Sequence, residues 1–498
     1  MELEFGLYLR DMILILLFSQ SFNISAFHKK KTECFVGKQY HRFIGYADSL
    51  LRIYPEEDDI WFGLIEANHF LKNESEILAL ARGYIERRKN RKSFRKIADL
   101  FGGSRRRRGL SRELIPELVE HYRELTDDQH FYSWEMFRYY VSNRRYRDAV
   151  DELVKAIDQE PERLQAGFDG LKRLLHKTDS TTLIRRITDS RFFRGRDLIL
   201  AMSAFEAKRH EDAAHLFLKH SYTEGLVKVS KDLASAGCLD EALKVIRKIK
   251  GVDDQTIGQL FFLARDYLSA LNHSDDPYLR AECLIYLGRY QEAIKELSDR
   301  KDQNSLRLRS LALVGQGAFQ EAIKIIKNSR SATLQFLLSK LYLSQANIKI
   351  GYEILIKLGD NTKDTLANDA LFWRMIIEKV DFDTTLMVHY ARGALFYEIG
   401  DYEKAKGELT VFTDDSPVFD YVTILLAEIY LAQRELEWAR VATDKARRLR
   451  PESPIMARLL LIEIKILKRL GNRGAAQSLK DTLLLRFPDS PEAESVRE

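Results

Sequence analysis

The sequence is short of cysteine, proline and long apolar runs, and each shortage excludes a class of protein. Three cysteines stand among 498 residues, Cys34, Cys238 and Cys283, far apart and outside any CxxC or Cys/His grouping. Neither a disulfide framework nor a zinc site is therefore indicated. Nine prolines and 25 glycines are few for this length, and no Ser/Pro/Gly-rich linker breaks the chain. No integral membrane span is expected, because spanning takes about 20 consecutive apolar residues. β-Strand signals are missing too: no Asn-Gly or Asp-Gly turn is flanked by alternating Val/Ile/Thr runs. What is present is a chain 45% hydrophobic and 31% charged, a balance that suits long helices with wet outer faces.

Catalytic patterns are equally scarce. No GxxxxGK[ST] phosphate loop, GxSxG elbow or GxGxxG after a strand occurs. "HEDAAH" (His210–His215) superficially matches a zinc-protease motif. Its histidines are five apart rather than four, which turns them about 140° from each other on a helix. Paired acids occur in "PEEDD" (Glu56–Asp59), "GVDDQ", "HSDDP" and "TDDSP". All fall at expected turns, where Asp caps a helix by accepting backbone N–H bonds. No catalytic, cofactor-binding or metal-ligating residue is assigned, no cofactor is expected, and the chain is expected not to be an enzyme.

The informative signal is a repeat. "ARGALFYEIGDYEKAKGELTVFTDDSP" (Ala391–Pro417) puts Gly393 and Phe396 on one face of a first helix, a turn at Gly400 and Asp401, and Ala405 and Leu409 on one face of a second, before Pro417. Thirty-four residues on, Ala427, Tyr430, Ala439, Ala446 and Pro451 stand where Gly393, Phe396, Ala405, Phe412 and Pro417 stood. Helices approach within about 8–10 Å most closely where one side chain is tiny. Proline ends the second helix because it lacks an N–H and clashes with the preceding turn. A third copy ends at Pro488. Near the N-terminus Tyr146, Ala149, Leu153, Ala156 and Pro161 follow the same grammar, as do Tyr40, Phe43, Ala47 and Pro55. Trp61 and Leu64 follow in "IWFGLIEANHF". In the middle the period shortens: Ala213 and Ala242 are 29 residues apart, and Ala293, Ala322 and Gly351 follow at 29-residue steps.

This pattern resembles the tetratricopeptide repeat, a 34-residue helix–turn–helix with small residues at the crossings, aromatics beside them and a late proline. The resemblance implies an all-α, right-handed solenoid of antiparallel helix pairs and a role as a scaffold for other proteins or peptides. It also implies that first helices line a concave groove. Carried onto the two cleanest copies, the groove positions are Met387, Tyr390, Tyr397 and Glu398, then Tyr421, Ile424, Glu428 and Leu431. The tyrosines are expected to be exposed contacts; the alternative for Ile424 and Leu431 is packing against adjacent helices.

Charge is unevenly spread. Thirteen Lys/Arg against two acids give Arg82–Arg112 a net +11 in a chain of net +5, leaving −6 elsewhere. Arg87, Arg88, Arg91, Lys92, Arg95 and Lys96 recur at helical spacing over an apolar face of Tyr84, Ile85, Phe94, Ile97 and Phe101. Arg105, Arg106, Arg107 and Arg108 follow in a glycine-bounded loop. The collar supports two readings: a grip on nucleic acid or anionic lipid, or a solvated helix with a loop inserted between repeats.

At the N-terminus, "DMILILLFSQSFNISA" has an apolar core and small residues before Ala26, in the manner of a secretory signal cleaved there. Acidic residues upstream and Lys29–Lys31 just beyond the cut oppose that reading. The alternative is the first helix of the fold. The expected organisation is a signal at 1–26, repeats with a basic insertion at 82–112 over 27–180, degenerate short-period repeats over 181–382, and three repeats over 383–498. Export to a periplasm or cell envelope is expected, with the cytoplasm as the other location.

Overall fold

The computed structural model describes residues 22–102, 112–175, 180–361 and 365–497. Among them are thirty α-helices and no strand. They form two compact units, Met1–His220 and Ser221–Glu498. Within each unit most consecutive helices pack on each other, and further packing joins one pair to the next, as between Tyr146–Gln159 and Phe193–Glu206. Packing runs unbroken across 180/181, where Ser180–Thr188 lies on Tyr146–Gln159, and across 382/383, where Ala332–Ser344 lies on Thr384–Glu398.

The crossings depend on small side chains. Ala405 and Ala439 are fully buried, as are Ala47, Ala149, Ala213, Ala242, Ala322 and Ala446. At Gly393 a Cβ would lie 2.8 Å from Cγ of Leu409 on the partner helix, so the pair closes only because that position has no side chain. The turn between these helices is at Gly400, φ 75°. Asp401 N–H bonds back to Phe396 O at 2.9 Å and Gly400 N–H to Tyr397 O at 3.1 Å, the paired bonds that close a helix through a left-handed residue. Asp401 then caps the next helix by accepting from Lys404 N–H.

Proline acts through the residue before it. Tyr54, Glu160, Arg450 and Phe487 each end a helix and precede a proline, with φ between −133° and −122° and ψ between 53° and 73°. Each has left the helical region, which a following pyrrolidine ring disfavours. Pro417 differs. Its helix stops early, at Leu409, after exposed Gly407 and before Thr410, Val411 and Thr413, residues with low helix propensity.

The acid pairs divide. Asp253 and Asp276 cap helices, accepting from Thr256 N–H and Tyr278 N–H. In "PEEDD" and "TDDSP" no acid caps; Glu56 and Asp58 pair with Arg88, and Asp414 with Lys445 at 2.5 Å. Cations on the neighbouring helix outcompete the turn N–H groups there. The helix Ile24–Val36, capped by the Asn23 side chain, spans the expected cut after Ala26, with Phe27 fully buried just beyond it. No helix among the described residues is long and apolar enough to cross a membrane.

Candidate functional site

The site grows from the helix Thr384–Glu398 and its 34-residue echo, Phe419–Ala432. Each turns one stripe of its first-helix face toward a shared recess of about 220 Å³. Thr384–Glu398 contributes Tyr390, Ala394, Tyr397 and Glu398; Phe419–Ala432 contributes Tyr421, Ile424, Leu425 and Glu428. Phe336 and Lys340 enter from Ala332–Ser344, and Asp369, Phe372 and Trp373 from Ala367–Lys379. Arg458 closes it from Met456–Arg469. Six of the eight groove positions read from the sequence therefore meet at one recess: Tyr390, Tyr397, Glu398, Tyr421, Ile424 and Glu428. Met387 is fully buried in packing, and Ile424 and Leu431 join the apolar cluster that includes Met456 and Leu459.

The tyrosines correct an expectation. Tyr421 is 0% and Tyr390 4% exposed, so neither is an open surface contact. The helix Ala367–Lys379 covers them: Phe372 lies 5.3 Å from the Tyr421 ring and Trp373 5.1 Å from that of Tyr390. That helix has no clear repeat signature, so nothing in the sequence marks its covering role. Burial raises the pKa of all three phenols, Tyr421 to about 12, with Asp420 adding to the shift there. Beside Tyr397, the Glu428 carboxylate acts in the same direction. At neutral pH the recess therefore holds protonated hydroxyls, each able to donate.

Its charges are mostly paired. Buried Lys340 forms an ion pair with Glu398 and lies 4.7 Å over the Phe336 ring. Arg458 sits 3.5 Å from Glu428 and 5.7 Å over Phe372. Two groups are left over. Exposed Asp369 at the rim has no partner among the described residues, and the buried Tyr421 hydroxyl has none either.

In the first unit five cations of the basic collar have acidic partners. Arg82 pairs with Glu117 at 2.6 Å, Arg87 with Glu56 at 2.7 Å and Arg91 with Asp128 at 2.7 Å. Arg88 pairs with Glu56 and Asp58, and Lys96 with Asp58. Tyr84, Ile85, Phe94, Ile97 and Phe101 are buried, as their spacing requires. Arg105, Arg106, Arg107 and Arg108 lie outside the described residues. No group of three or more His, Cys, Asp or Glu among the described residues is arranged to hold a metal, and Ala213 of "HEDAAH" is a buried crossing residue.

No family model matches the sequence, and no curated protein matches it. Solved structures with some likeness include PilW, described as a widely conserved type IV pilus biogenesis factor. It is 18% identical over 49% of this chain and 97% of its own, with a TM-score of 0.22. The tetratricopeptide domain of P58(IPK) is 12% identical over 74% and 95%, with a TM-score of 0.20. The Cut9–Hcn1 assembly of the APC/C is 11% identical over 97% of each chain, with a TM-score of 0.22. Superpositions this loose carry nothing about function to this chain.

Proposed function

We propose that the chain is a non-enzymatic protein-interaction scaffold whose second unit offers a concave, aromatic-lined recess to a partner peptide. The observation that supports this most is the convergence of Tyr390, Tyr397, Glu398, Tyr421, Ile424 and Glu428 from two successive repeats on one recess. Aromatic side chains with protonated hydroxyls give large contact area at small rotamer cost. Export to a cell envelope is part of the proposal and rests on the apolar core and small residues before Ala26. The reading in which the collar binds nucleic acid or anionic lipid is weaker, because Arg82, Arg87, Arg88, Arg91 and Lys96 already have acidic partners.

Affinity purification with the intact chain, after cell fractionation, tests the proposal. Proteins recovered by the wild type and lost with Tyr397→Ala and Glu428→Ala together support the scaffold reading. Equal recovery by both rules the recess out as the binding surface. Mass spectrometry of the purified chain's N-terminus reads the export claim; a cytoplasmic chain with residues 1–26 intact overturns it.

A further inference from the structure

We infer that the recess of the second unit takes one arginine side chain of a partner peptide, held by Asp369 and stacked among the aromatic rings. This deepens the scaffold reading and rests on it. Three observations converge. The lining carries three carboxylates, Asp369, Glu398 and Glu428, against two cations, Lys340 and Arg458. Each cation is already committed to a carboxylate, which leaves exposed Asp369 without a charge partner among the described residues. Deeper in, Tyr421 is 0% exposed, yet its hydroxyl has no hydrogen-bond partner among the described residues. A buried hydroxyl without a partner is destabilising, so its retention at a recess points to a group supplied from outside.

The recess is about 220 Å³, many times the ~10–15 Å³ that one water needs by that measure, and so has room for a long side chain. Its walls include Phe336, Phe372, Trp373 and Tyr397. A planar guanidinium stacks on such rings and presents a fork that fits a carboxylate with two parallel bonds. An ammonium lacks the plane and is more strongly hydrated, so lysine is the poorer occupant. A guanidinium held by a carboxylate keeps further N–H groups to donate, and the Tyr421 oxygen is an acceptor without a donor among the described residues.

The test is selection of a displayed library of random dodecapeptides on the intact chain, followed by synthetic forms of the strongest peptide. Arginine is expected at one fixed position. Its replacement by glutamine weakens binding about ten-fold or more, and by lysine several-fold. Asp369→Asn weakens the arginine peptide about ten-fold and leaves the glutamine peptide unchanged; as Asp369 is exposed, this variant is expected to melt with the wild type. Tyr421→Phe weakens the arginine peptide while raising the melting temperature, a pairing that a purely structural tyrosine would not show. Peptides that protect Thr384–Glu398 and Phe419–Ala432 from hydrogen exchange without favouring arginine overturn this inference and leave the scaffold reading standing. If no selected peptide protects those helices, both fall.

Discussion

At the scale of single residues, the buried polar groups separate stability from recognition. Arg123 is 1% exposed and fully satisfied: it binds both oxygens of Glu152, at 2.9 and 2.6 Å, the Ser133 hydroxyl and the Phe131 carbonyl. Tyr421 is equally buried and its hydroxyl is unsatisfied. Tyr421→Phe should therefore stabilise the ligand-free protein, by about 1–3 kcal/mol, the cost of leaving a buried polar group unpaired. Chemical denaturation of both forms measures it, and a Phe variant of lower stability would show that the hydroxyl has a partner after all. The sequence allowed six of the recess residues to be found, because a first-helix stripe repeats every 34 residues. It did not disclose their burial. Phe372 and Trp373, which bury them, lie in a helix without repeat grammar, and Asp369 and Lys340 are ordinary charged residues until the fold brings them to one recess.

At the scale of elements, the hairpins are limited by backbone approach more than by apolar area. The tightest approach to backbone is at Gly195, where an added Cβ would stand 2.1 Å from Val154 O and 2.8 Å from Asp158 N. Backbone cannot swing aside as a side-chain tip does. Gly195→Ala should cost at least the 1–3 kcal/mol typical of overpacking, read as a lower denaturation midpoint with little change in slope. The opposite change applies at the turns. Ala346 is exposed and held at φ 66°, a left-handed conformation that strains any residue with a Cβ. Ala346→Gly should stabilise by about 0.5–1 kcal/mol in the same assay, since strain relief slightly exceeds the added freedom of the unfolded chain. Crossings and turns were legible because both restrict residue type. Helix ends were legible only where proline imposes them. Pro417 misled, since propensity had already ended that helix, and the acids of "PEEDD" misled because their cationic partners come from a helix some thirty residues later.

At the scale of the whole molecule, the two compact units differ in how they hold buried acid, and this makes their pH responses differ. The first unit contains Glu152 and Asp197, 5% and 3% exposed. Burial pushes both carboxyls up, but hydrogen bonds outweigh it, from Arg123 onto Glu152 and from Lys219, His220 and Arg196 onto Asp197; Glu152 ends below its ordinary value and Asp197 at about 2. A carboxyl whose folded pKa is depressed adds stability that is complete above its unfolded value and is lost as pH falls toward the folded one. For Asp197 that window runs from 3.8 down to about 2. The second unit buries Glu463 beside Arg447 at 3.1 Å, and there desolvation prevails and the pKa rises. Its contribution has the other sign: it is greatest below the ordinary value of 4.5 and declines as pH rises through the folded one. Acid should therefore weaken the first unit through Glu152 and Asp197 while Glu463 offsets part of the loss in the second. Two tryptophans lie in each unit, Trp61 and Trp134 in the first, Trp373 and Trp438 in the second. With Trp373→Phe and Trp438→Phe, fluorescence reports the first unit alone. Its urea midpoint should fall steadily from pH 5 to pH 2.5, and Asp197→Asn should start lower at pH 7 and fall less across that window. A parallel decline in both proteins would mean that the Lys219–His220–Arg196 cluster does not hold Asp197 ionised in the folded chain.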